Sequence, residues 1–229
     1  WRKEWRVNPP SWLGRENPEW PGNYKVRYWD ERWKSIVREY LDRILERGFC
    51  GVYLDVVDAF EYWSNPENGE GFFLPEEEAA RRMIDLILEI ARYCRVVRGR
   101  EDFYIIPQNG EKLLEYDFDG RLLEAVSSWA VEDLFYDGAS PFPPNVTLER
   151  TRYLDRVVGA GKPVFVVDYV DDGSGYSGEN RERIDDFLLK ALLRGYLPYA
   201  ARIDRELDEL NVIEGVQPPR RCGGSDNTK

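Results

Sequence analysis

The sequence predicts an α/β fold, a parallel sheet whose strands alternate with helices. Short apolar runs of strand-forming residues recur along the 229 residues, and amphipathic segments with helical periodicity separate them. The strand runs are nearly continuous in apolar residues, as expected when helices cover one face and further core covers the other. With 42% hydrophobic residues, the chain is long enough for one enzyme-sized domain.

The first two predicted units each pair a strand with a helix. NYKVRYWD (23–30) reads as a strand, and the helix after it has one apolar face. CGVYLDVVD (50–58) reads as the next strand. A polar loop NPENGEG follows, and then a helix that opens at Pro75 with acidic residues in its first turn. These units set the alternating pattern.

The rest of the chain continues the alternation. Further strands are predicted at 103–110, 123–133, 162–170 and 197–204, with helices near 145–158 and 179–194. After Glu214 the apolar periodicity ends. We therefore expect one domain over residues 1–214 and a disordered tail over 215–229.

Composition excludes several classes of function. Acidic residues outnumber basic ones 43 to 32, a net charge of −11 that repels nucleic acid and anionic lipid. The chain has no histidine, which removes Ser-His triads and most zinc sites. We expect no metal and no cofactor, so acid/base chemistry falls to carboxylates, Tyr, Lys or Cys. No apolar run is long enough for an integral membrane segment, and the oligomeric state is open.

Polar residues stand at the carboxyl end of nearly every predicted strand. In a (β/α)8 barrel this rim carries the active site. Periodicity alone does not separate a barrel from an open doubly wound sheet, but neither GxGxxG nor a P-loop follows any strand, which favours the barrel. The predicted rim residues are Asp30, Asp55, Asp58, Gln108, Asn109, Glu132, Asp133, Asp168 and Arg202.

Each rim carboxylate has a structural alternative. Asp55 is the lone charge inside VYLDVV, and burial of an unpaired carboxylate is costly, which favours a function. Asp58 reads better as an N-cap or loop anchor. Beside Glu132, Asp133 could be the residue that points inward. Asp168 could bind substrate or cap a loop, and Asn109 belongs to an Asn-Gly turn dipeptide.

Aromatic residues are abundant at or just beyond the strand ends. Sugar rings stack on amphipathic aromatic side chains, although most such residues belong to the core. Trp63 and Tyr136 are the best predicted platforms, because each follows a candidate carboxylate. The full set is Tyr28, Trp29, Tyr62, Trp63, Tyr136, Tyr169 and Tyr199.

Several stretches together resemble a known family. WRVNPPSWLGRENPEWPGNYKVRYWDERW, GFCGVYLDVVDAFEYW, IIPQNGEKLL, WAVEDLFY, VVDYV and GYLPYAARIDRELDEL are similar, in this order, to glycoside hydrolase family 114, the endo-α-1,4-polygalactosaminidases and their relatives. The resemblance implies a (β/α)8 TIM barrel in which about six βα units here supply the third to eighth strands. The first two strands would then lie upstream of Trp1, in an N-terminally truncated domain.

The resemblance also implies a site and an activity. The catalytic carboxylates would be Asp55 and Glu132, from alternate strands, in an endo-acting glycosidase of α-1,4-linked galactosamine polysaccharide. Which of the two is the acid depends on the surroundings of each carboxyl group and is open from sequence, as is retention or inversion; we favour Asp55 as nucleophile and Glu132 as acid/base in a retaining reaction. An acidic cleft would attract its cationic amines. The location would be extracellular or the cell envelope. The expected substrate-binding residues are Tyr28, Asp30, Asp58, Trp63, Asn109, Tyr136, Asp168, Tyr199 and Arg202.

Two alternatives and one covalent feature stay open. The chain could be a non-catalytic carbohydrate-binding barrel, or an incomplete barrel with an interaction role. A bridge between Cys50 and Cys94 is conceivable, because the strand start and the helix end that carry them would share one end of the barrel.

Overall fold

The computed structural model describes residue 5 and residues 7–18, 20–206 and 208–217. The chain forms two compact units, Trp1–Trp129 and Ala130–Lys229. No helix in the described part of the chain is both long and apolar enough to cross a membrane.

The first unit contains two small sheets. Strands β1 (Leu13–Glu16) and β2 (Tyr24–Val26) form an antiparallel hairpin. Strands β3 (Gly51–Leu54) and β4 (Tyr104–Pro107) pair in parallel over their whole length. The prediction that 23–30 begins the parallel series is therefore wrong in its pairing. The connection NPEWPGN is rich in turn-forming residues, so the chain reverses and pairs locally.

The two long predicted helices of the first unit are confirmed. Helix α1 spans Glu31–Glu46, and α3 spans Glu76–Arg92, after the short α2 (Ala59–Ser64). Helix α3 follows Pro75, has three acidic residues in its first turn and continues as a π-helical turn over Tyr93–Val97. Its buried face includes Ala80, Met83, Ile84, Ile87 and Ala91.

The segment predicted as one strand over 123–133 divides into a helix and a strand. A 3-10 turn at Glu111–Glu115 precedes α4 (Arg121–Ala125), and β5 covers only Trp129–Glu132. The Asp117 carboxylate accepts hydrogen bonds from the backbone N–H groups of Leu122 at 3.0 Å and Leu123 at 2.9 Å. These bonds satisfy the first turn of α4, a tertiary contact that the apolar pattern did not reveal.

The second unit is built on a three-stranded sheet. A short hairpin of β6 (Tyr136–Asp137) and β7 (Ser140–Pro141) precedes β8 (Val164–Asp171), and β9 covers Leu197–Arg202. The sheet order is β5-β8-β9, and β8 and β9 are parallel. The predicted strands at 162–170 and 197–204 are thus confirmed.

Two helices of the second unit match their predicted positions closely. Helix α5 spans Pro144–Gly159 and α6 spans Gly178–Leu193. Both contact β8, and their buried side chains form a core with the strands. This core includes Leu154, Val157, Val164, Val166, Ile184, Phe187 and Ala191. The alternation of strand and helix is therefore correct in this unit, while closure into a (β/α)8 barrel stays a prediction.

The predicted disordered tail starts too early. The Gln217 side chain is 5% exposed, and its Oε1 accepts a hydrogen bond from the Ala200 N–H at 2.9 Å. Its Nε2 donates to the Ala200 carbonyl at 2.6 Å, so Gly215–Gln217 belongs to the folded second unit. The remaining part of the predicted tail, 218–229, lies outside the described residues.

The cysteine bridge considered from the sequence is not present. Cys50 and Cys94 are both free thiols, Cys50 exposed and Cys94 fully buried. Cys94 faces the core from the π-helical turn, and burial raises the pKa of its thiol to about 11. The third cysteine, Cys222, lies outside the described residues.

Candidate active site

Asp55 stands directly after the last residue of β3. The side chain is exposed, so the expectation of a carboxylate within a buried run is wrong. Its Oδ1 accepts a hydrogen bond from the Val56 N–H at 2.9 Å. Val56 has a φ of 62°, which is uncommon and strained for a β-branched residue. The backbone turns sharply at Val56, and Asp55 is presented to solvent at the strand end.

The ends of β3 and β4 bring further polar groups together. The Gln108 N–H donates to the Leu54 carbonyl at 2.9 Å, so the two strands end side by side. The Tyr53 hydroxyl donates to Oε1 of Gln108. Gln108 is 7% exposed and Tyr53 is 54% exposed. This edge therefore carries the exposed Tyr53 phenol, which is hydrogen-bonded to the buried Gln108 amide, and the exposed Asp55 carboxylate.

Asp58 occupies the N-cap position of α2, as the N-cap interpretation predicts, but its side chain makes no capping hydrogen bond. Its carboxyl group is partly buried, and burial followed by the nearby charge of Asp55 raises its pKa. A Cβ on Gly110, which has a φ of 60°, would lie 3.0 Å from the Asp58 nitrogen. The Gly110 backbone thus packs closely against that of Asp58, and the charge of Asp55 acts on the Asp58 carboxyl group.

Asn109 belongs to a turn. Its φ is 58°, and its carbonyl accepts a hydrogen bond from Nε1 of Trp129 at 2.9 Å. Asn109 and Gly110 both have left-handed backbone conformations, which is typical of the Asn-Gly turn that was the structural alternative for Asn109. A contact with substrate stays a prediction.

Two predicted ring contacts in the first unit are buried. Tyr28 is 2% exposed and its hydroxyl donates to the Ala79 carbonyl at 2.7 Å. Trp63 is fully buried and its Nε1 donates to the Val26 carbonyl at 2.9 Å. Both rings pack edge-on against Trp29, with centroids 4.9 and 5.3 Å away. Neither exposes a face to a sugar, so we correct both to core residues.

Asp30 has a structural role. It is the N-cap of α1, and its Oδ1 accepts hydrogen bonds from the backbone N–H of Arg32 at 2.9 Å and from Nε at 3.0 Å. These bonds from Arg32 lower the pKa of the Asp30 carboxyl. The predicted substrate contact is replaced by a helix cap.

In the second unit, Glu132 ends β5, partly exposed. Its Oε2 accepts a hydrogen bond from the Tyr169 hydroxyl at 2.7 Å. Tyr169 lies on β8 and is 4% exposed. Burial, and then the hydrogen bond to Glu132, raises the pKa of the Tyr169 phenol and so favours its protonated, hydrogen-bond-donating form. The carboxyl group of Glu132 is thus held by a buried donor.

Asp133 faces an arginine that the sequence interpretation missed. Its Oδ2 lies 2.6 Å from Nη1 of Arg205, while its Oδ1 is buried and has no hydrogen-bond partner among the described residues. Burial raises the pKa of the Asp133 carboxyl, and Arg205 opposes that effect. Both residues have positive φ, 49° and 64°. Within RIDRELDEL, nothing distinguishes Arg205 from a solvated charge, so no local signal could identify it.

Asp168 is fully buried and anchors the segment after Glu132. Its oxygens accept hydrogen bonds from the backbone N–H groups of Leu134 at 2.8 Å, Phe135 at 2.8 Å and Tyr136 at 3.0 Å. Burial raises the pKa of this carboxyl to about 6 despite these bonds. We therefore correct Asp168 from a substrate contact to an internal anchor.

The remaining predicted aromatic platform is also turned inward. Tyr136 is 6% exposed, its hydroxyl donates to Oδ2 of Asp186, and Nζ of Lys190 lies 4.9 Å from the ring centroid. Two side chains of α6, Asp186 and Lys190, thus contact this buried tyrosine. Tyr136 is therefore corrected to a core residue.

Tyr199 and Arg202 lie near the end of β9. The Tyr199 hydroxyl accepts a hydrogen bond from the Asn211 N–H at 2.7 Å. Nη1 of Arg202 lies 3.5 Å from Oδ2 of Asp171. Burial tends to raise the pKa of Asp171, but hydrogen bonds led by those from Asn180 and Asn211 lower it overall. Both predicted residues are partly exposed, so substrate contact stays a prediction for each.

Sequence comparison identifies related proteins over nearly the whole chain. The sequence profile of glycoside-hydrolase family GH114 matches residues 1–215. An uncharacterised protein of Methanocaldococcus jannaschii is 56% identical over 212 residues, 93% of this chain and 59% of the relative. An uncharacterised protein of Thermotoga maritima is 52% identical over 96% of this chain and 65% of the relative. The chain thus spans about three fifths of the length of these relatives.

Solved structures share the fold at low identity. Aspergillus fumigatus Ega3, in complex with galactosamine, matches with a TM-score of 0.61 and 17% identity over 89% of this chain and 70% of that chain. The glycoside hydrolase domain of PelA from Pseudomonas aeruginosa matches with a TM-score of 0.58 and 16% identity, over 82% of this chain and 66% of that chain. The mixed α/β architecture is therefore that of known glycoside hydrolases.

Proposed function

The chain belongs to glycoside hydrolase family GH114, and from this membership we propose that the protein hydrolyses α-1,4-linked galactosamine-containing polysaccharide. The reaction is endo-acting and retaining, with Asp55 as nucleophile and Glu132 as acid/base. The observation that carries the proposal is the 2.7 Å hydrogen bond between the buried Tyr169 hydroxyl and Glu132, since it holds a carboxyl group at a strand end without burying it.

The proposed mechanism has two steps. In the first, the Asp55 carboxylate attacks the anomeric carbon while the Glu132 carboxyl protonates the glycosidic oxygen, which leaves as an alcohol. In the second, the Glu132 carboxylate removes a proton from water, and the water oxygen displaces Asp55 from the anomeric carbon. The exposed position of Asp55 after β3 fits a nucleophile that must reach substrate.

Charge supports an amino sugar as the substrate. The chain has a net charge of −11, which favours a polymer with cationic amines. The structure of Ega3 in complex with galactosamine agrees with this choice. Such a polymer cannot enter a cell intact, so we propose an extracellular or cell-envelope location. The proposed substrate contacts that keep partly exposed side chains are Asp58, Asn109, Tyr199 and Arg202.

The test uses the full-length protein and partially deacetylated α-1,4-galactosamine polymer. We expect released oligosaccharides by mass spectrometry, and a loss of about 10³-fold or more in rate for Glu132→Gln and for Asp55→Asn. Both changes keep the side-chain shape; Glu132→Gln removes the acid/base and Asp55→Asn removes the nucleophile. Matched controls are Glu101→Gln and Asp102→Asn, which are exposed in the turn before β4 and should retain activity.

Two results would contradict the proposal. If the wild type and Glu132→Gln both bind the polymer and release nothing, the protein is a carbohydrate-binding module. If either variant keeps the wild-type rate while the controls behave as expected, that carboxyl group is not catalytic.

A further inference from the structure

We infer that Arg205 is a positioning residue for Glu132, acting through the ring of Tyr169 and the segment 133–137. The inference rests on the proposed function of Glu132 as acid/base. It begins from the Tyr169 hydroxyl, which donates to Oε2 of Glu132 at 2.7 Å. The position of this carboxyl oxygen depends on the position of the Tyr169 hydroxyl. A residue that restrains the Tyr169 ring therefore also helps to position Glu132.

Arg205 lies over the face of this ring. Its guanidinium carbon lies 4.7 Å from the centroid of Tyr169. A cation over the face of a tyrosine is attracted by the ring quadrupole, and the planar guanidinium stacks on it. The positive charge of Arg205 also lowers the pKa of the Tyr169 phenol, against the larger effect of burial, and so strengthens the hydroxyl as a donor.

The same guanidinium ties the ring to the segment that follows Glu132. Nη1 binds Oδ2 of Asp133 at 2.6 Å, and Nη2 binds Oδ1 of Asp137 at 2.7 Å. The guanidinium of Arg205 therefore contacts Tyr169 of β8 with its face, while two of its nitrogens bind Asp133 and Asp137 in the segment after β5. The exposed fraction of the Arg205 side chain is 40%, and that of Asp133 is 26%.

The backbone supports a dedicated role. Arg205 has a φ of 64°, a conformation that costs free energy for any residue with a Cβ. The β5 backbone is held independently, because Nη1 of Arg150 donates to the carbonyls of Glu132 at 3.2 Å and Asp133 at 2.6 Å. Loss of Arg205 should therefore loosen side chains around Glu132 without releasing the strand that carries it.

Charge balance is a second contribution. Glu132 and Asp133 are adjacent carboxylates, and the charge of Glu132 is among the causes that raise the pKa of Asp133. Arg205 pairs with Asp133, whose charge also acts on the Tyr169 phenol, and with Asp137. Without Arg205, the Asp133 carboxylate would compete with Glu132 for the Tyr169 hydroxyl.

The test is a double-mutant cycle in the full-length protein on the galactosamine polymer. We expect Arg205→Ala and Tyr169→Phe each to lower kcat about tenfold or more with less than a twofold change in KM. Because Arg205 acts through Tyr169, the double variant should be little worse than Tyr169→Phe alone. Effects on kcat that multiply, or an unchanged kcat in Arg205→Ala, would overturn the inference.

The control variant is Arg181→Ala in the same unit. Arg181 also lies over a tyrosine ring, 5.1 Å from the centroid of Tyr176, and pairs with Asp185, so its contacts within the described part of the chain are with its own helix and the loop before it. It should keep the wild-type kcat. If Arg205→Ala does not fold, Arg205→Lys replaces it. Its single ammonium keeps the charge without the fork, and kcat should still fall; full activity in Arg205→Lys would overturn the inference.

A structural readout separates this inference from the proposed function. If the wild type cleaves no polymer, the proposed function fails, and crystal structures of the wild type and Arg205→Ala then decide the positioning role. We expect the distance from the Tyr169 hydroxyl to Oε2 of Glu132 to lengthen beyond hydrogen-bonding range in the variant. A bond that keeps its length without Arg205 would overturn the inference regardless of activity.

Discussion

Asp168 is a carboxylate that a parallel strand carries into the protein core. It is fully buried on β8, and three successive backbone N–H groups after β5 donate to it. These donors stabilise the charged form, while burial penalises it and raises the pKa to about 6. Because the folded state binds this proton more tightly than the unfolded chain does, Asp168 links stability to pH.

The sign of that linkage gives a prediction. The contribution of Asp168 is fully present below its ordinary pKa of 3.8 and is lost as pH rises through about 6. The difference between the pKa of 3.8 and the pKa of about 6 corresponds to roughly 3 kcal/mol of folding free energy. Relative to Asp168→Asn, the wild type should therefore lose about that free energy of unfolding between pH 4 and pH 7. Urea unfolding of both proteins at pH 4, 5, 6 and 7 measures it, and parallel pH profiles would contradict it.

The positions of candidate carboxylates were predictable from sequence, but their surroundings were not. Asp55 and Glu132 stand at strand ends as expected, because a charge that ends an apolar run marks the limit of a buried segment. The roles of Trp63 and Asp168 depend on contacts with residues far along the chain. No local pattern contains those contacts, so the sequence could not separate a binding ring from a core ring.

At the scale of elements, the pairing of β3 with β4 depends on a close backbone approach. Gly51 lies opposite Tyr104, and a Cβ at Gly51 would lie 2.6 Å from the Tyr104 Cβ and 2.9 Å from its carbonyl oxygen. Neither of these groups can rotate away. The spacing of the strands at this point therefore requires glycine.

Replacing this glycine should be costly. We expect Gly51→Ala to lower the free energy of unfolding by about 1–3 kcal/mol, since the two strands must separate to admit the methyl group. Gly159→Ala is the matched control: it lies at the end of α5 with open space around its Cβ position and should be neutral or stabilising by roughly 0.5–1 kcal/mol. Circular dichroism during urea unfolding compares them, and equal stabilities would show that the strands yield.

Helices were predicted more closely than strand pairings. The apolar faces of α1, α3, α5 and α6 repeat with a helical period over many residues, so their positions follow from local sequence. The β1–β2 hairpin has only a three-residue second strand, and the first turn of α4 depends on hydrogen bonds to the Asp117 carboxylate. Short elements carry too few residues to establish a period.

At the scale of the whole molecule, charge should control access by substrate. The net charge of −11 attracts a cationic polymer over a distance set by ionic strength. We expect kcat/KM on the deacetylated polymer to fall roughly three- to tenfold between 50 and 500 mM salt. A highly N-acetylated polymer, with few free amines, should show little change. Initial rates on both polymers test this, and the same salt dependence for both would contradict it.

The parallel α/β character could be read from sequence, but the assembly of the strands could not. β8 and β9 are each recognisable from their local sequence. Which strands pair depends on contacts between residues that are far apart in the chain. The division into two compact units, which falls between Trp129 and Ala130, lies inside an apolar strand and has no linker signal. Composition marks a boundary only where the connecting chain is polar.

The free thiols of Cys50 and Cys94 can report local unfolding of the first unit through their rates of chemical labelling. Cys50 is exposed and should react at once with a maleimide, whereas Cys94 is fully buried, with a pKa raised to about 11. Cys94 can react only when the π-helical turn after α3 leaves the core, because thiolate and access are both needed. In the Cys222→Ser variant, Cys50 is labelled first and Cys94 second. The rate at which Cys94 is labelled under native conditions therefore measures how often this unit opens.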